Sequence, residues 1–113
     1  MQPIVHRVVL YIPLLKTFIH ELNRARFCRA IGTMLQSGIP IQESLGIVAG
    51  AMPNYVYRLS VLAMHKRIES GESFADIVEQ YPRLYPKMVQ RMIAVGERSG
   101  GLADSLLYLA RFY

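Results

Sequence analysis

The most reactive-looking stretch of this 113-residue chain is His20-Glu21-Leu22-Asn23-Arg24. It opens as the helix motif of zinc hydrolases does, with His and Glu adjacent, but Arg24 stands where the second metal-binding His is required. His6 and His65 are isolated, and Cys28, the sole cysteine, lies on an apolar stripe with Phe27 and Ile31, where a buried inert thiol is expected. Gly96, Gly100 and Gly101 lack the spacing of a phosphate-binding loop or a dinucleotide fingerprint. The carboxylates open helices singly and do not form a facing pair. No catalytic residue, metal site or cofactor is therefore expected. What remains is interaction chemistry: a basic knot of Arg24, Arg26 and Arg29, and the carboxylate of Glu97 near a helix end, placed to bind a backbone N–H, to pair with Arg98 or Arg111, or to meet a partner or a cation.

Those residues need elements to hold them. Gly and Pro punctuate the chain at Ser37-Gly38-Ile39-Pro40, Met52-Pro53-Asn54, Ser70-Gly71, Tyr81-Pro82 and Ser99-Gly100-Gly101, and each break ends a helical pattern. Between breaks the apolar residues recur every three to four positions. Ile41, Leu45, Val48 and Met52 line one face; Phe74, Ile77, Val78 and Tyr81 another. Tyr85, Met88, Val89, Met92, Ile93 and Gly96 form the clearest stripe, and Leu102, Leu106, Leu109 and Tyr113 close the set. Ser73, with Asp76 three residues on, has the form of a capping box. The reading is all-α: an antiparallel bundle of about six helices arranged as three helix-turn-helix hairpins. A weak internal repeat supports the hairpins, since Ser37-Gly38, Ser70-Gly71 and Ser99-Gly100 align as helix end, tight turn and new helix. Gly46 and Gly50, four apart, are expected to let a neighbouring helix come close.

The first helix is two-faced along its length. Leu14, Leu15, Phe18, Ile19, Leu22 and Ala25 cluster on one side, whereas Phe27, Cys28, Ile31, Met34 and Leu35 point nearly the opposite way. A continuous helix can offer only one half to the bundle core; a kink near 24–26 would reconcile the two. The displaced half is expected to meet a partner subunit, a membrane surface or the amino-terminal strip, so Leu15, Phe18 and Leu22, with Arg26 and Arg29, are the candidate partner-binding residues. An apolar fraction of 52% and a net charge of +5 fit contact with a partner or an anionic surface. They also fit a second reading, a basic helical nucleic-acid module using Arg24, Arg26, Arg29, Lys66 and Arg67, although the aromatics do not interleave with the arginines. The longest apolar run, 8–15, is too short to span a bilayer.

At Gly96-Glu97-Arg98-Ser99-Gly100-Gly101-Leu102, followed by Leu106 and Ala110-Arg111-Phe112-Tyr113, the chain resembles the closing motif of the type II secretion system F domain of GspF- and PilC-type inner-membrane platform proteins. Arg26, Phe27 and the run to Leu35, then Gly38, Pro40, Ile41 and Leu45, resemble the family's opening hairpin. Asn54, Ile68, Gly71-Glu72-Ser73-Phe74, Tyr81-Pro82 and Met92-Ile93 resemble its middle. The resemblance covers residues 14–113, behind a lead segment 1–13, and is nearer to the second of the family's two cytoplasmic copies. Its family-motif residues are Gly38, Pro40, Gly71, Pro82, Gly96, Glu97, Ser99 and Gly100. With one copy and no spanning segment, the chain reads as a soluble domain cut from a longer, membrane-tethered protein. The resemblance implies a non-enzymatic scaffold at the inner membrane, with this domain on the cytoplasmic side. Implied partners are the secretion or pilus ATPase, other inner-membrane platform proteins, pilin-like subunits and further copies of itself; nucleic acid is not among them.

Overall fold

The computed structural model describes residues 9–113 in full and the backbone of the first helix back to Gln2; His6 and Val8 lie outside the residues whose side chains are described. Six helices follow one another: α1 (Gln2–Gln36), α2 (Ile41–Ala51), α3 (Tyr55–Ile68), α4 (Phe74–Glu79), α5 (Lys87–Ser99) and α6 (Leu102–Phe112), with no strand among the described residues. Each helix packs on its successor, and α6 returns to lie along α1, the most extensive helix–helix contact. The chain is an all-α bundle.

The three aligned Ser-Gly pairs are the three left-handed turns. Gly38, Gly71 and Gly100 take φ of 89°, 90° and 80°, and no other described residue has a positive φ. At the end of α1 the turn is a complete Schellman motif: Gly38 N–H donates to Leu35 O at 3.0 Å and Ile39 N–H to Met34 O at 3.0 Å. Pro40 then adopts an extended conformation and starts α2. A Cβ at Gly38, Gly71 or Gly100 meets nothing within 4 Å, so the requirement for glycine is purely conformational. Replacing any one with Ala is expected to cost about 1 kcal/mol, read as a lower urea midpoint with an unchanged slope.

Burial follows the amphipathic stripes. Phe27, Cys28 and Ile31 of α1, Leu45 and Val48 of α2, Val61 and Met64 of α3, Phe74, Ile77 and Val78 of α4, Val89 and Ile93 of α5, and Leu106 and Leu109 of α6 are buried. Met88, counted on the α5 stripe, instead faces outward. The centre is aromatic: the Phe27 ring lies 4.8 Å from Tyr85 and 6.2 Å from Phe74, and Tyr57 meets Tyr85 edge-on at 5.8 Å. Buried phenols need partners. Tyr57 Oη donates to Leu84 O at 3.2 Å, and Tyr85 Oη donates to Ser60 Oγ at 3.1 Å, whose own proton goes to Tyr57 O at 2.7 Å. Burial pushes the Cys28 thiol up to about 12. A thiol so placed is not a nucleophile. Ellman's reagent at pH 8 is expected to leave the folded chain unlabelled and to titrate one thiol after denaturation; rapid labelling of the native chain would contradict the packing.

Candidate interaction surface

Helix α1 runs through Pro13 and through 24–26 without a break, so its two apolar halves do face opposite ways. The core takes the second half. Long-range polar contacts along the other flank fix this choice. His20 Nδ1 donates to Tyr57 Oη at 2.8 Å, with its ring edge-on to the tyrosine at 5.7 Å. Arg24 Nε donates to Leu84 O at 2.6 Å and Nη2 to Arg83 O at 3.1 Å, so its guanidinium ties α1 to the turn before α5. Asn23 is buried beside them and donates to Ile19 O at 2.8 Å. Burial, with Arg24 and Lys16 adding repulsion, holds His20 below the usual histidine value of 6.5. The neutral form is therefore favoured on folding, and this contribution, present above 6.5, is lost as pH falls through the folded-state value. An NMR titration is expected to place the His20 midpoint below 6.5.

The basic knot is accordingly divided. Arg24 is consumed by backbone carbonyls, whereas Arg26 and Arg29 are exposed. The latter two rim a groove of about 390 Å³ between α1 and α2, with Met34, Val48 and Met52 as its apolar lining. Leu15 belongs to a different groove, about 340 Å³, shared with Ile12, Ile19, Val56 and Tyr57 between α1 and α3. Phe18 and Leu22 belong to neither and face outward. The five candidate partner-binding residues thus share a helix but occupy more than one surface. Arg67, a member of the proposed nucleic-acid face, is bound by Glu72 at 3.0 Å and by Gln80.

The motif residues sit at helix junctions and do not converge on one cleft. Gly38 and Pro40 join α1 to α2, Gly71 joins α3 to α4, and Pro82 lies in the turn leading to α5. At the α5–α6 junction Gly100 makes the turn, and Ser99 Oγ donates to Gly96 O at 3.4 Å while accepting from Gly101 N–H at 3.4 Å. At Gly96 α5 and α6 come close together, and a Cβ there would lie 2.9 Å from Leu102 Cα. Glu97 looks the other way: its carboxylate accepts from Phe74 N–H at 2.7 Å and Ala75 N–H at 3.1 Å, holding the start of α4. No ion pair joins Glu97 to Arg98 or Arg111 among the described residues, where the pairs are His65–Glu69 and Arg67–Glu72.

Two features escaped the sequence, and the expected glycine pair is met at one of its two positions. Gly32 lets α6 close on α1, since a Cβ there would stand 2.9 Å from Leu107 Cγ. Of Gly46 and Gly50 only the first has a helix against it, with His65 at 3.1 Å; Gly50 faces open space, so the expected pair is a single contact. The outer face of α3 is apolar and exposed at Tyr55, Val56, Leu59 and Leu62, where Tyr55, Leu59 and Leu62 have the i, i+4, i+7 spacing that could have announced it.

Junction glycines, a capped short helix and an α5–α6 closure define an all-α domain whose motif residues shape the fold. The family described as type II secretion system (T2SS), protein F matches residues 27–113, and the chain belongs to that family. It is 34% identical over 107 residues to the type IV pilus assembly protein TapC of Aeromonas hydrophila, covering 95% of this chain and 26% of that protein. It is 33% identical over 110 residues to PilC of Thermus thermophilus, another type IV pilus assembly protein, covering 97% of this chain and 27% of that one. The type II secretion system protein F of Pseudomonas aeruginosa is 32% identical over 106 residues, 94% of this chain and 26% of its own length. The chain spans about a quarter of the length of these curated relatives.

Proposed function

We propose that this chain is a cytoplasmic helical domain of an inner-membrane platform protein that scaffolds type II secretion or type IV pilus assembly. Residues 1–13 lead into the domain and 14–113 form it, as the second of two copies in the whole protein. The role is non-enzymatic. Movement of the assembly ATPase passes through the bundle to membrane segments, with other platform proteins, pilin-like subunits and further copies as neighbours. The observation that carries this reading is the family match over 27–113, with relatives named for both secretion and pilus assembly. The geometry is compatible with force transfer. Helix α1, 35 residues long, packs on α6 more extensively than any other helix pair does, and its residues 9–19 are exposed, in a molecule 55 Å long and 23 Å wide. Arg26 and Arg29, exposed at the rim of an apolar groove, are the residues assigned to the ATPase or a platform partner.

The test is a charge reversal in the encoding gene, Arg26→Glu with Arg29→Glu. Secretion or piliation is expected to be lost while the purified chain melts as before, and binding of the assembly ATPase to the whole protein is expected to fall. Normal assembly with the reversed pair would remove these residues from the interface.

A further inference from the structure

The groove between α1 and α2 carries charge of one sign. Arg26 and Arg29 stand three residues apart on α1, and Thr33 and Met34 continue the same face one to two turns on. Val48 and Met52 of α2, both buried, form the other wall with the exposed Ala51. A third guanidinium, that of Arg58, is fixed at the end of α2, where it donates to Met52 O at 2.9 Å and Pro53 O at 3.4 Å. No carboxylate lines the groove, and among the described residues neither Arg26 nor Arg29 belongs to an ion pair. The α4–α5 groove differs: there Asp76 and Glu79 share the walls with Lys87, Arg91 and Arg98, and the charges largely offset one another.

A rim of unpaired guanidinium groups calls for anions, and an apolar floor calls for apolar side chains beside them. The guanidinium fork matches a carboxylate through two parallel hydrogen bonds. The flexible thioethers of Met34 and Met52 adapt to the shape of what enters. The lining holds no aromatic ring on which a nucleic-acid base could stack. From Arg26 to Met34 the α1 wall runs about 12 Å, a little over two helical turns. That is the span over which an amphipathic helix in a groove sets its anchors. We infer that this groove receives an acidic amphipathic helix of a partner protein, with carboxylates on Arg26 and Arg29 and apolar side chains on Met34, Val48 and Met52. This rests on the partner role proposed above for the two arginines and adds the chemistry of the segment they meet.

The probe is a helical peptide of about twelve residues built of Glu, Leu and Ala, with glutamates three and four apart beside a leucine stripe. Titrated into the isotope-labelled chain, it is expected to shift the backbone amides of 26–34 and 48–52 ahead of all others. Lys in place of its Glu, or Ser in place of its Leu, is expected to remove those shifts. Arg26→Glu with Arg29→Glu weakens binding about tenfold or more, the loss of a charge-assisted hydrogen bond. Ala51→Phe fills the groove without altering charge and does the same. Both variants keep the parental melt, because all three positions are exposed. Arg91→Glu with Arg98→Glu gives the same net charge as the first variant but lies in the other groove, and leaves binding intact. Equal loss in that control overturns the inference, as does equal binding of the leucine-free peptide. Capture of duplex or single-stranded DNA, or of phosphatidylglycerol vesicles, through Arg26 and Arg29 in place of the peptide overturns it too. No shift with the acidic peptide also overturns it; if the arginine reversal still abolishes assembly, the partner role of these residues stands and only the chemistry assigned here falls.

Discussion

Gly96→Val is expected to destabilise the chain by about 3 kcal/mol or more, and Gly96→Ala by about 1–2 kcal/mol, as overpacking does where neither side can yield. A Cβ at this position would stand 2.7 Å from Ser105 Oγ, 3.1 Å from Ser105 Cβ and 2.9 Å from Leu102 Cα. The serine can rotate; the backbone of Leu102 cannot. Nor can α6 retreat as a unit, because Gly100 and Gly101 tether it directly to the end of α5 and its other face is packed on α1. Helix propensity works in the opposite direction, favouring Ala over Gly in a helix interior by about 1 kcal/mol. A net loss would therefore show that the steric cost of close approach outweighs propensity. Urea unfolding followed by far-UV circular dichroism measures it, and Ser105→Gly in the Gly96→Ala background separates the two contacts. Partial recovery is expected, since the serine atoms go and Leu102 Cα stays. A Gly96→Ala chain more stable than the parent would mean that α5 and α6 do not meet as closely as described.

Much of the architecture is legible in residue types because local chemistry dictates it. Ser-Gly before an amphipathic run forecasts a left-handed stop, and the three aligned pairs are the three positive-φ glycines at 38, 71 and 100. The capping serine at 73 was equally visible: its Oγ accepts from Asp76 N–H at 3.2 Å. The phase reversal along α1 was visible too, as two stripes half a turn apart. Which stripe the bundle would take was not, because that depends on His20 meeting Tyr57 and Arg24 meeting Leu84, contacts 37 and 60 residues apart. The same distance explains why Arg24 read as part of a basic cluster: its neighbours Arg26 and Arg29 are solvent-facing, and nothing local marks it as the one that turns inward. Glycine spacing has a similar limit. It offers a smooth helix face at Gly46 and Gly50 alike but does not say where the next helix crosses, and α3 crosses only at Gly46.

Glu97→Ala is the complementary expectation: a loss of about 2–3 kcal/mol that begins in α4, where the carboxylate acts, not in α5, which carries it. A helix of six residues has almost no intrinsic stability and leaves its first N–H groups without intrahelical partners. Here side chains supply three acceptors. Glu97 takes the N–H groups of Phe74 and Ala75, and Ser73 takes that of Asp76. A hydrogen bond to a charged group contributes about 1.5–3 kcal/mol and a neutral cap about 1 kcal/mol, so Glu97→Ala should cost more than Ser73→Ala. Glu97→Gln keeps one acceptor oxygen and should fall between them. Because Phe74 is fully buried beside Phe27, freeing the start of α4 also loosens the aromatic centre. Amide hydrogen exchange gives the decisive readout: protection at Phe74 and Ala75 is expected to fall first, ahead of the buried stretch of α1 around Ile31. Gly96 and Glu97 are adjacent yet serve opposite sides of α5, one admitting α6 and the other reaching α4. Losing either should therefore free a different neighbour, and uniform loss of protection across all six helices in both variants would contradict that division.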